Sequence, residues 1–170
     1  MFSKFSKSLA VAVIASVVVA CSGQDDVNST VSGGQMDGKK NHHAHGHDMI
    51  KKDSLAYFQQ KIGDKTYFGY DQYTLTGEAQ QTLASQADWI RQYAAGNMIT
   101  VEGHADERGT REYNMALGLR RAHSIRSFLV SRGIPQSQIK TVSFGKERPE
   151  VEGSTPSAWA QNRRGVTTIR

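Results

Sequence analysis

The sequence predicts an α+β fold, an α/β sandwich in which two long helices cover one face of a single sheet. Apolar and aromatic stretches of strand type alternate with stretches that repeat apolar residues every three or four positions. Glycine and proline separate these stretches, as at Gly96, Gly133 and Pro135. A hydrophobic content of 38% in 170 residues allows one such core, but not a core that includes every segment.

Residues 1–20 have the organisation of a signal peptide. Two lysines precede an apolar run at 9–19, which is shorter than the roughly 20 residues that span a bilayer. Val18-Val19-Ala20-Cys21 resembles a bacterial lipobox, and Cys21 is the only cysteine in the chain. We therefore expect lipidation at Cys21, and Ser22 in place of Asp favours the outer membrane. The alternative is an ordinary secretory signal with a chance cysteine.

Residues 21–50 have the composition of a flexible tether, rich in Ser, Gly, Asp, Asn, Lys and His. Four of its histidines fall within six residues, and imidazole is a good ligand for zinc, copper or nickel. No acidic or cysteine ligand accompanies them at a defined spacing, so a solvated linker is favoured over a metal site. The histidines are His42, His43, His45 and His47.

The folded domain is predicted at residues 51–170, beginning with a short helix at 54–62 and an aromatic strand at 66–70. Thr76 is positioned to cap the first long helix, which Gly96 ends. The apolar stripe of this helix is Ala79, Leu83, Ala87, Ile90 and Ala94.

A second strand at 99–105 leads through a charged loop into a second long helix at 112–132. Gly133 and Pro135 end this helix. Its core face carries Ala122, Ile125 and Leu129. The remaining predicted elements are a short turn at 136–139, a third strand at 141–144, a long loop at 146–156, a helical turn at 157–161 and a last strand at 165–169.

The charged loop and the helix after it carry the candidate binding residues. Asp106 lies between Gly103 and Gly109, which we interpret as giving the loop its backbone freedom. Arg121 lies next to the core residue Ala122. Aspartate accepts hydrogen bonds from an ammonium group, and the planar guanidinium of arginine donates two parallel hydrogen bonds to a carboxylate. The pair therefore suits a ligand that carries both an ammonium and a carboxylate. The residues alone leave open that Asp106 only shapes a turn and that Arg121 only pairs at the core edge.

Charge and motifs exclude several functional classes. The net charge is +5, or +3 for a chain that begins at residue 21, which is far below the basic patches of nucleic-acid binders. No nucleophile elbow, catalytic cysteine, His-Glu-x-x-His motif or phosphate loop is present, so we expect neither an enzyme nor a cofactor. His104 and Asp106 lack a third ligand, so a supporting role is expected for His104.

The run from Gly103 to Thr110, together with Glu112-Tyr113-Asn114, Leu117-Gly118 and Arg120-Arg121-Ala122, closely resembles the OmpA-like family of peptidoglycan-binding domains. The resemblance covers about residues 65–170. It implies a β-α-β-α-β-β domain with one four-stranded mixed sheet packed by two long helices.

The same resemblance implies noncovalent binding of peptidoglycan through the meso-diaminopimelate residue of the stem peptide, whose side chain ends in an amine and a carboxylate. By position, the ligand-contacting residues of the family are Asp106 and Arg121, and not Arg120. The implied walls of the groove are Tyr70, Asp71, Asn114 and Leu117.

The resemblance further implies a lipid-anchored outer-membrane protein that faces the periplasm and tethers the membrane to the wall. Its implied protein partner is TolB, a periplasmic β-propeller protein of an envelope system that serves envelope integrity and cell division. Two alternatives remain: a lipoprotein of this family that binds peptidoglycan without TolB, and a metal carrier that works through the histidine tract.

Overall fold

The computed structural model of the protein describes residues 50–170. The predicted signal peptide, Cys21 and the histidines of the tether lie outside the described residues. Within 50–170, no helix is long and apolar enough to cross a membrane.

The elements follow the predicted alternation of helices and strands. They are α1 (Leu55–Tyr57), continued by a π-helix (Phe58–Gly63), β1 (Lys65–Tyr67), α2 (Gly77–Tyr93), β2 (Ile99–His104), α3 (Arg111–Ser131), a 3₁₀ turn (Gln136–Gln138), β3 (Ile139–Gly145), α4 (Pro156–Asn162) and β4 (Arg164–Ile169).

The four strands form one mixed sheet in the order β1-β4-β2-β3. Strands β2 and β3 are parallel, whereas β4 is antiparallel to both β1 and β2. The long helices α2 and α3 pack on the sheet and on each other. The predicted α+β class, with its four-stranded mixed sheet and two long covering helices, is therefore confirmed.

The core lies between the sheet and these two helices. Every residue of the predicted α2 stripe is at most 5% exposed, and Ala122, Ile125 and Leu129 of α3 are fully buried. Ile99 and Val101 of β2 face them from the sheet and are also fully buried. The helix caps agree with the sequence as well, since Thr76 Oγ1 accepts from the backbone N–H of Ala79 at 3.2 Å.

Two strands differ from their predicted bounds by more than one residue. The first strand ends at Tyr67 and not at Tyr70, because β4 begins at Arg164, the partner of Tyr67. The next N–H, that of Phe68, donates to the carbonyl of Arg163 at 2.9 Å, outside β4. The third strand begins at Ile139, two residues early, because parallel pairing with β2 starts at Ile99 opposite Ile139. Both bounds depend on the neighbouring strand, which local sequence does not encode.

The interpretation of Gly103 as a source of loop freedom is wrong, whereas that of Gly109 is correct. Gly109 has φ +96°, in the left-handed region that glycine adopts most readily. Gly103 is a residue of β2, and its role is close packing: a Cβ there would lie 1.8 Å from the carbonyl oxygen of Gly118 in α3. Because Gly103 and Gly118 have no side chain, α3 can pack directly against the end of β2.

Candidate functional site

A cavity of about 190 Å³ opens where β2 ends and α3 begins. It is lined by all six residues that the sequence nominates: Tyr70, Asp71, Asp106, Asn114, Leu117 and Arg121. Sequence reasoning missed the three other lining residues, Arg108, Gly109 and Tyr113, although all lie within or just after the nominated loop.

Asp106 is held in place by two arginines. Its Oδ1 accepts from the backbone N–H of Arg108 at 3.1 Å and from Nε of the same residue at 3.2 Å. Its Oδ2 accepts from Nη2 of Arg108 at 2.6 Å and from Nη1 of Arg163 at 3.4 Å. Burial raises the pKa of the Asp106 carboxyl, but the hydrogen bonds from Arg108 and Arg163 outweigh burial, so the pKa lies below its ordinary value. The carboxylate is therefore ionised and fully hydrogen-bonded.

The guanidinium of Arg108 lies between two aromatic rings. Its central carbon is 4.1 Å from the ring centroid of Tyr70 and 4.1 Å from that of Trp159. One edge of the guanidinium binds Asp106, while a third of the side chain remains exposed. Arg108 thus covers the carboxylate at the mouth of the cavity. A cation two residues after an aspartate in a loop was the available sequence signal for this contact.

Arg121 is fully buried, and its charge is stabilised by backbone carbonyls. Its Nε donates to Gln72 O at 2.8 Å, Nη1 to His104 O at 2.7 Å and Nη2 to Gly69 O at 3.0 Å. Burial lowers the pKa of Arg121 to about 10, and the negative charge of Asp106 partly opposes that effect. The side chain therefore connects the segment after β1 to the end of β2 while it lines the cavity.

The exposed side of the cavity is formed by Tyr70, Asp71 and Tyr113. Asp71 adopts a left-handed backbone conformation with φ 53°, which is uncommon for a residue with a side chain. Its carboxylate accepts a hydrogen bond from the Tyr113 hydroxyl, and this contact raises the pKa of Tyr113. Tyr70 is 63% exposed, so the part of its ring that does not contact Arg108 is available to a ligand.

The floor of the cavity is formed by α3. Leu117 supplies an apolar surface and is 4% exposed. Asn114, 2% exposed, donates from Nδ2 to the carbonyl of Arg108 at 2.9 Å and so fixes the loop that carries Asp106. These two residues lie one helical turn apart, which places both on the side of α3 that faces the cavity.

His104 lies beneath the site rather than in it. The residue is 2% exposed, and its ring centroid lies 5.4 Å from that of Phe144. Burial, reinforced by the positive charge of Arg164, lowers the pKa of His104 to about 4. Among residues 50–170, neither ring nitrogen has a hydrogen-bond partner, and no group of three or more potential metal ligands occurs. His104 is thus a neutral packing residue whose carbonyl anchors Arg121.

The sequence profile of the OmpA family matches residues 67–163, which include every lining residue of the cavity. The chain belongs to the OmpA family. The family is one of noncatalytic binding domains, so the expectation that the chain is not an enzyme is confirmed.

Relatives place the chain more narrowly within the OmpA family. A peptidoglycan-associated lipoprotein of Mesorhizobium japonicum is 53% identical over 116 residues, covering 68% of each chain. One from Haemophilus influenzae is 37% identical over 164 residues, covering 96% of this chain and 97% of the relative. The recognised resemblance is thereby confirmed.

Solved structures show the same fold. The crystal structure of the peptidoglycan-associated lipoprotein from Burkholderia pseudomallei superposes with a TM-score of 0.62 at 34% identity, covering 66% of this chain and 96% of that one. The C-terminal domain of Helicobacter pylori MotB superposes with a TM-score of 0.59 at 18% identity, covering 63% and 84%, and shows the fold alone.

Proposed function

We propose that this protein is an envelope lipoprotein that binds peptidoglycan noncovalently, and that the meso-diaminopimelate residue of the stem peptide occupies the cavity at the end of β2. One observation carries the proposal: both carboxylates and the buried arginine that the sequence nominates line a single small cavity. The names of the relatives, peptidoglycan-associated lipoproteins at 37–53% identity, support peptidoglycan as the ligand.

The charges of the cavity suit the end of the diaminopimelate side chain, which carries an ammonium and a carboxylate. Asp71 and Asp106 are the groups that accept from the ammonium. Arg121 uses three of its five N–H groups on carbonyls, and so has donors left for the carboxylate. The exposed edge of the Arg108 guanidinium offers further donors.

Binding in this position requires Arg108 to move. Asp106 already accepts four hydrogen bonds, which is the full capacity of a carboxylate. Three of them come from Arg108, whose side chain is a third exposed and is restrained by stacking rather than by burial. An arriving ammonium therefore replaces side-chain contacts of Arg108, and the released guanidinium can bind the carboxylate of the same ligand.

The size of the cavity sets how much of the ligand it holds. A volume of about 190 Å³ takes the end of one side chain, and the glycan and the rest of the stem peptide lie outside it. Tyr70 and Tyr113, at 63% and 44% exposure, border the opening on the solvent side. They form the surface against which the remaining peptide packs.

In the proposed arrangement, acyl chains on Cys21 anchor the protein in the outer membrane, and its folded domain faces the periplasm. Residues 21–50 tether the domain at 51–170, which binds the wall. The proposed partner is TolB of the Tol–Pal system, docked over the face that carries the cavity, so that wall and TolB compete. This arrangement serves envelope integrity and cell division.

The decisive experiment is sedimentation of the mature chain with purified sacculi. Asp106→Asn is expected to lose binding to sacculi that contain diaminopimelate, because a neutral amide removes the negative charge that pairs with the ammonium and leaves one acceptor oxygen in place of two. Asp88→Asn, the same change at an exposed position on α2, is the matched control and is expected to bind normally. Retention of Asp106→Asn at the wild-type level, or equal binding of the wild type to lysine-containing sacculi, would overturn the assignment.

Separate measurements test the anchor and the partner. Cys21→Ala is expected to move the protein from the membrane fraction to the soluble periplasm, and continued membrane fractionation would contradict acylation. Purification of the wild-type chain from detergent extracts is expected to recover TolB. Its absence, with sacculus binding intact, would favour a lipoprotein that works without TolB.

A further inference from the structure

Basic residues predominate in the part of the chain that contains most of α3 and the segment after it. The stretch 113–146 contains six Arg and Lys residues and no Asp or Glu. Two of these cations are engaged in the site region, since Arg121 is buried and Lys146 donates to the carbonyls of Glu107 and Gly109. The others lie outside it and include Arg132 and Lys140, which are exposed.

Arg132 and Lys140 lie at the end of the domain remote from the cavity. Helix α3 has 21 residues and is therefore about 30 Å long. The cavity is at its amino end, and Arg132 is its carboxyl cap. Because α3 runs back along β2, this remote end also contains the starts of β2 and of its parallel neighbour β3, where Lys140 is the second residue.

Other segments add cations to the same end. Nη1 of Arg91 donates to the carbonyl of Arg132 at 3.4 Å, which places the carboxyl end of α2 beside that of α3. Nε1 of Trp89 donates to the carbonyl of Lys52 at 2.7 Å, so the first described residues also lie against this part of α2. The basic end, as we name this surface, consists of Lys51, Lys52, Arg91, Arg132 and Lys140.

The cations of the basic end are largely free of acidic partners. Among the described residues, only Arg91 of this set forms an ion pair, with Asp88 at 2.9 Å. The acidic residues that surround the cavity lie at the opposite end, and they include Asp71, Asp106, Glu107, Glu112 and Glu147. Four cations of the basic end thus have no ion pair among the described residues, with Asp53 and Asp88 as neighbouring acids in the sequence, whereas the cavity end mixes acids with cations such as Arg108 and Arg111.

Two apolar side chains accompany these cations. Tyr93, in the last turn of α2, is 39% exposed, and Met98, just before β2, is 51% exposed. Cations beside exposed aromatic and aliphatic groups match the chemistry of a lipid headgroup region, where amphipathic rings and basic side chains both find partners.

We propose that the basic end is a docking surface for anionic phospholipid headgroups, which holds the domain against the membrane with its cavity facing away. The position at which the described chain begins supports this occupant. Ile50 enters the domain near Lys52, and Cys21 precedes it by 29 residues. Residues 21–50 have the composition of a flexible tether, and a chain of that kind and length spans roughly 30 Å on average. An acylated Cys21 would then keep this end within reach of the bilayer.

The cellular location of this surface depends on the proposed anchor, but its chemistry does not. Each basic side chain near an anionic bilayer strengthens binding about fivefold. A few such contacts give weak, reversible binding that is screened by salt, and the tether raises the local concentration of the membrane. Domains could then exchange between the membrane and the wall without losing the anchor.

The test uses the mature chain from residue 21 with Cys21→Ala, so that no acyl group contributes to binding. Sedimentation with vesicles of phosphatidylglycerol and phosphatidylethanolamine is compared with sedimentation with phosphatidylcholine vesicles. Binding is expected only to the anionic vesicles and is expected to weaken as salt is raised. Equal binding to both compositions, or to neither, would overturn the proposal.

Paired variants locate the surface. Arg132→Gln with Lys140→Gln is expected to weaken vesicle binding more than about tenfold. Arg111→Gln with Arg148→Gln removes the same charge from the cavity end, outside the cavity lining, and is expected to leave vesicle binding unchanged. Thermal unfolding of both pairs checks that each variant is folded.

The same variants separate this proposal from the peptidoglycan assignment. The basic-end pair is expected to sediment normally with sacculi, whereas Asp106→Asn is expected to bind vesicles normally. If the basic-end pair loses sacculus binding and keeps vesicle binding, the surface belongs to the wall and the membrane proposal is wrong.

Discussion

Gly103 in β2 and Gly118 in α3 lie so close that a Cβ on Gly103 would be 1.8 Å from the carbonyl oxygen of Gly118. Gly103 precedes Asp106 by three residues, and Gly118 precedes Arg121 by three. The close approach of the two backbones thus fixes the distance between the strand end and the helix that carry the site. It explains why both charges line one cavity.

Gly103→Ala is expected to destabilise the domain by about 3 kcal/mol or more, because a backbone carbonyl cannot move aside as a flexible side chain can. Urea unfolding measures the change in free energy. Gly77→Ala is the control, since no atom lies within 4 Å of a Cβ at that position. An unchanged midpoint for Gly103→Ala would show that the helix and the strand can separate at little cost.

Arg121→Ala is expected to lower the free energy of unfolding by about 3 kcal/mol, because it leaves three carbonyls without a donor. Arg120→Ala removes a neighbouring exposed cation and is expected to change stability by less than about 0.5 kcal/mol. Chemical denaturation of the two variants provides the comparison. Similar stability of both would contradict a structural role for Arg121. If Arg121→Ala is destabilised as expected, a loss of peptidoglycan binding by this variant would not by itself show that Arg121 contacts the ligand.

Arg108→Ala is expected to raise the pKa of Asp106. Burial raises this pKa in the wild type, and the hydrogen bonds from Arg108 are the main opposing effect. The variant loses the two side-chain hydrogen bonds, so only the backbone N–H of residue 108 and the side chain of Arg163 still donate to the carboxylate and oppose burial. Carbon-13 NMR titration of the Asp106 carboxyl measures the shift, and Arg111→Ala, whose side chain pairs with Glu147, is the control. A pKa equal to that of the wild type would assign the effect to another group.

His104 is expected to make stability depend on pH between about 6.5 and about 4. Its pKa falls from 6.5 in the unfolded chain to about 4 in the folded protein, so in this window the unfolded state binds one more proton. Stability therefore decreases as the pH falls, by up to about 1.4 kcal/mol per pH unit. Urea unfolding from pH 7 to pH 5 measures the slope, above the range where carboxyl groups titrate.

A variant identifies the histidine responsible for this slope. His104→Phe, which keeps an aromatic ring beside Phe144, is expected to flatten the pH dependence. His123→Asn, at an exposed position on α3, is expected to retain it. A slope that persists in His104→Phe would show that another group titrates on unfolding.

The sequence predicted the helices and their caps well, because these features depend on neighbours in the chain. Thr76, the α2 stripe and the glycine turn at Gly133 all occur as predicted. Strand bounds were less accurate, since β1 ends and β3 begins where their partner strands allow. Local sequence contains no information on the length of a partner strand.

By itself, the sequence determined the fold class, the family and the six residues that line the cavity, because these are carried by periodic patterns and a long specific motif. Only the tertiary structure decided which contacts within the protein hold those residues in place. It places Arg108 over Asp106 between Tyr70 and Trp159, and it buries Arg121 among three carbonyls. Such contacts join residues as many as 52 positions apart. They arise from the close packing of α3 on β2, which no local pattern in the sequence specifies.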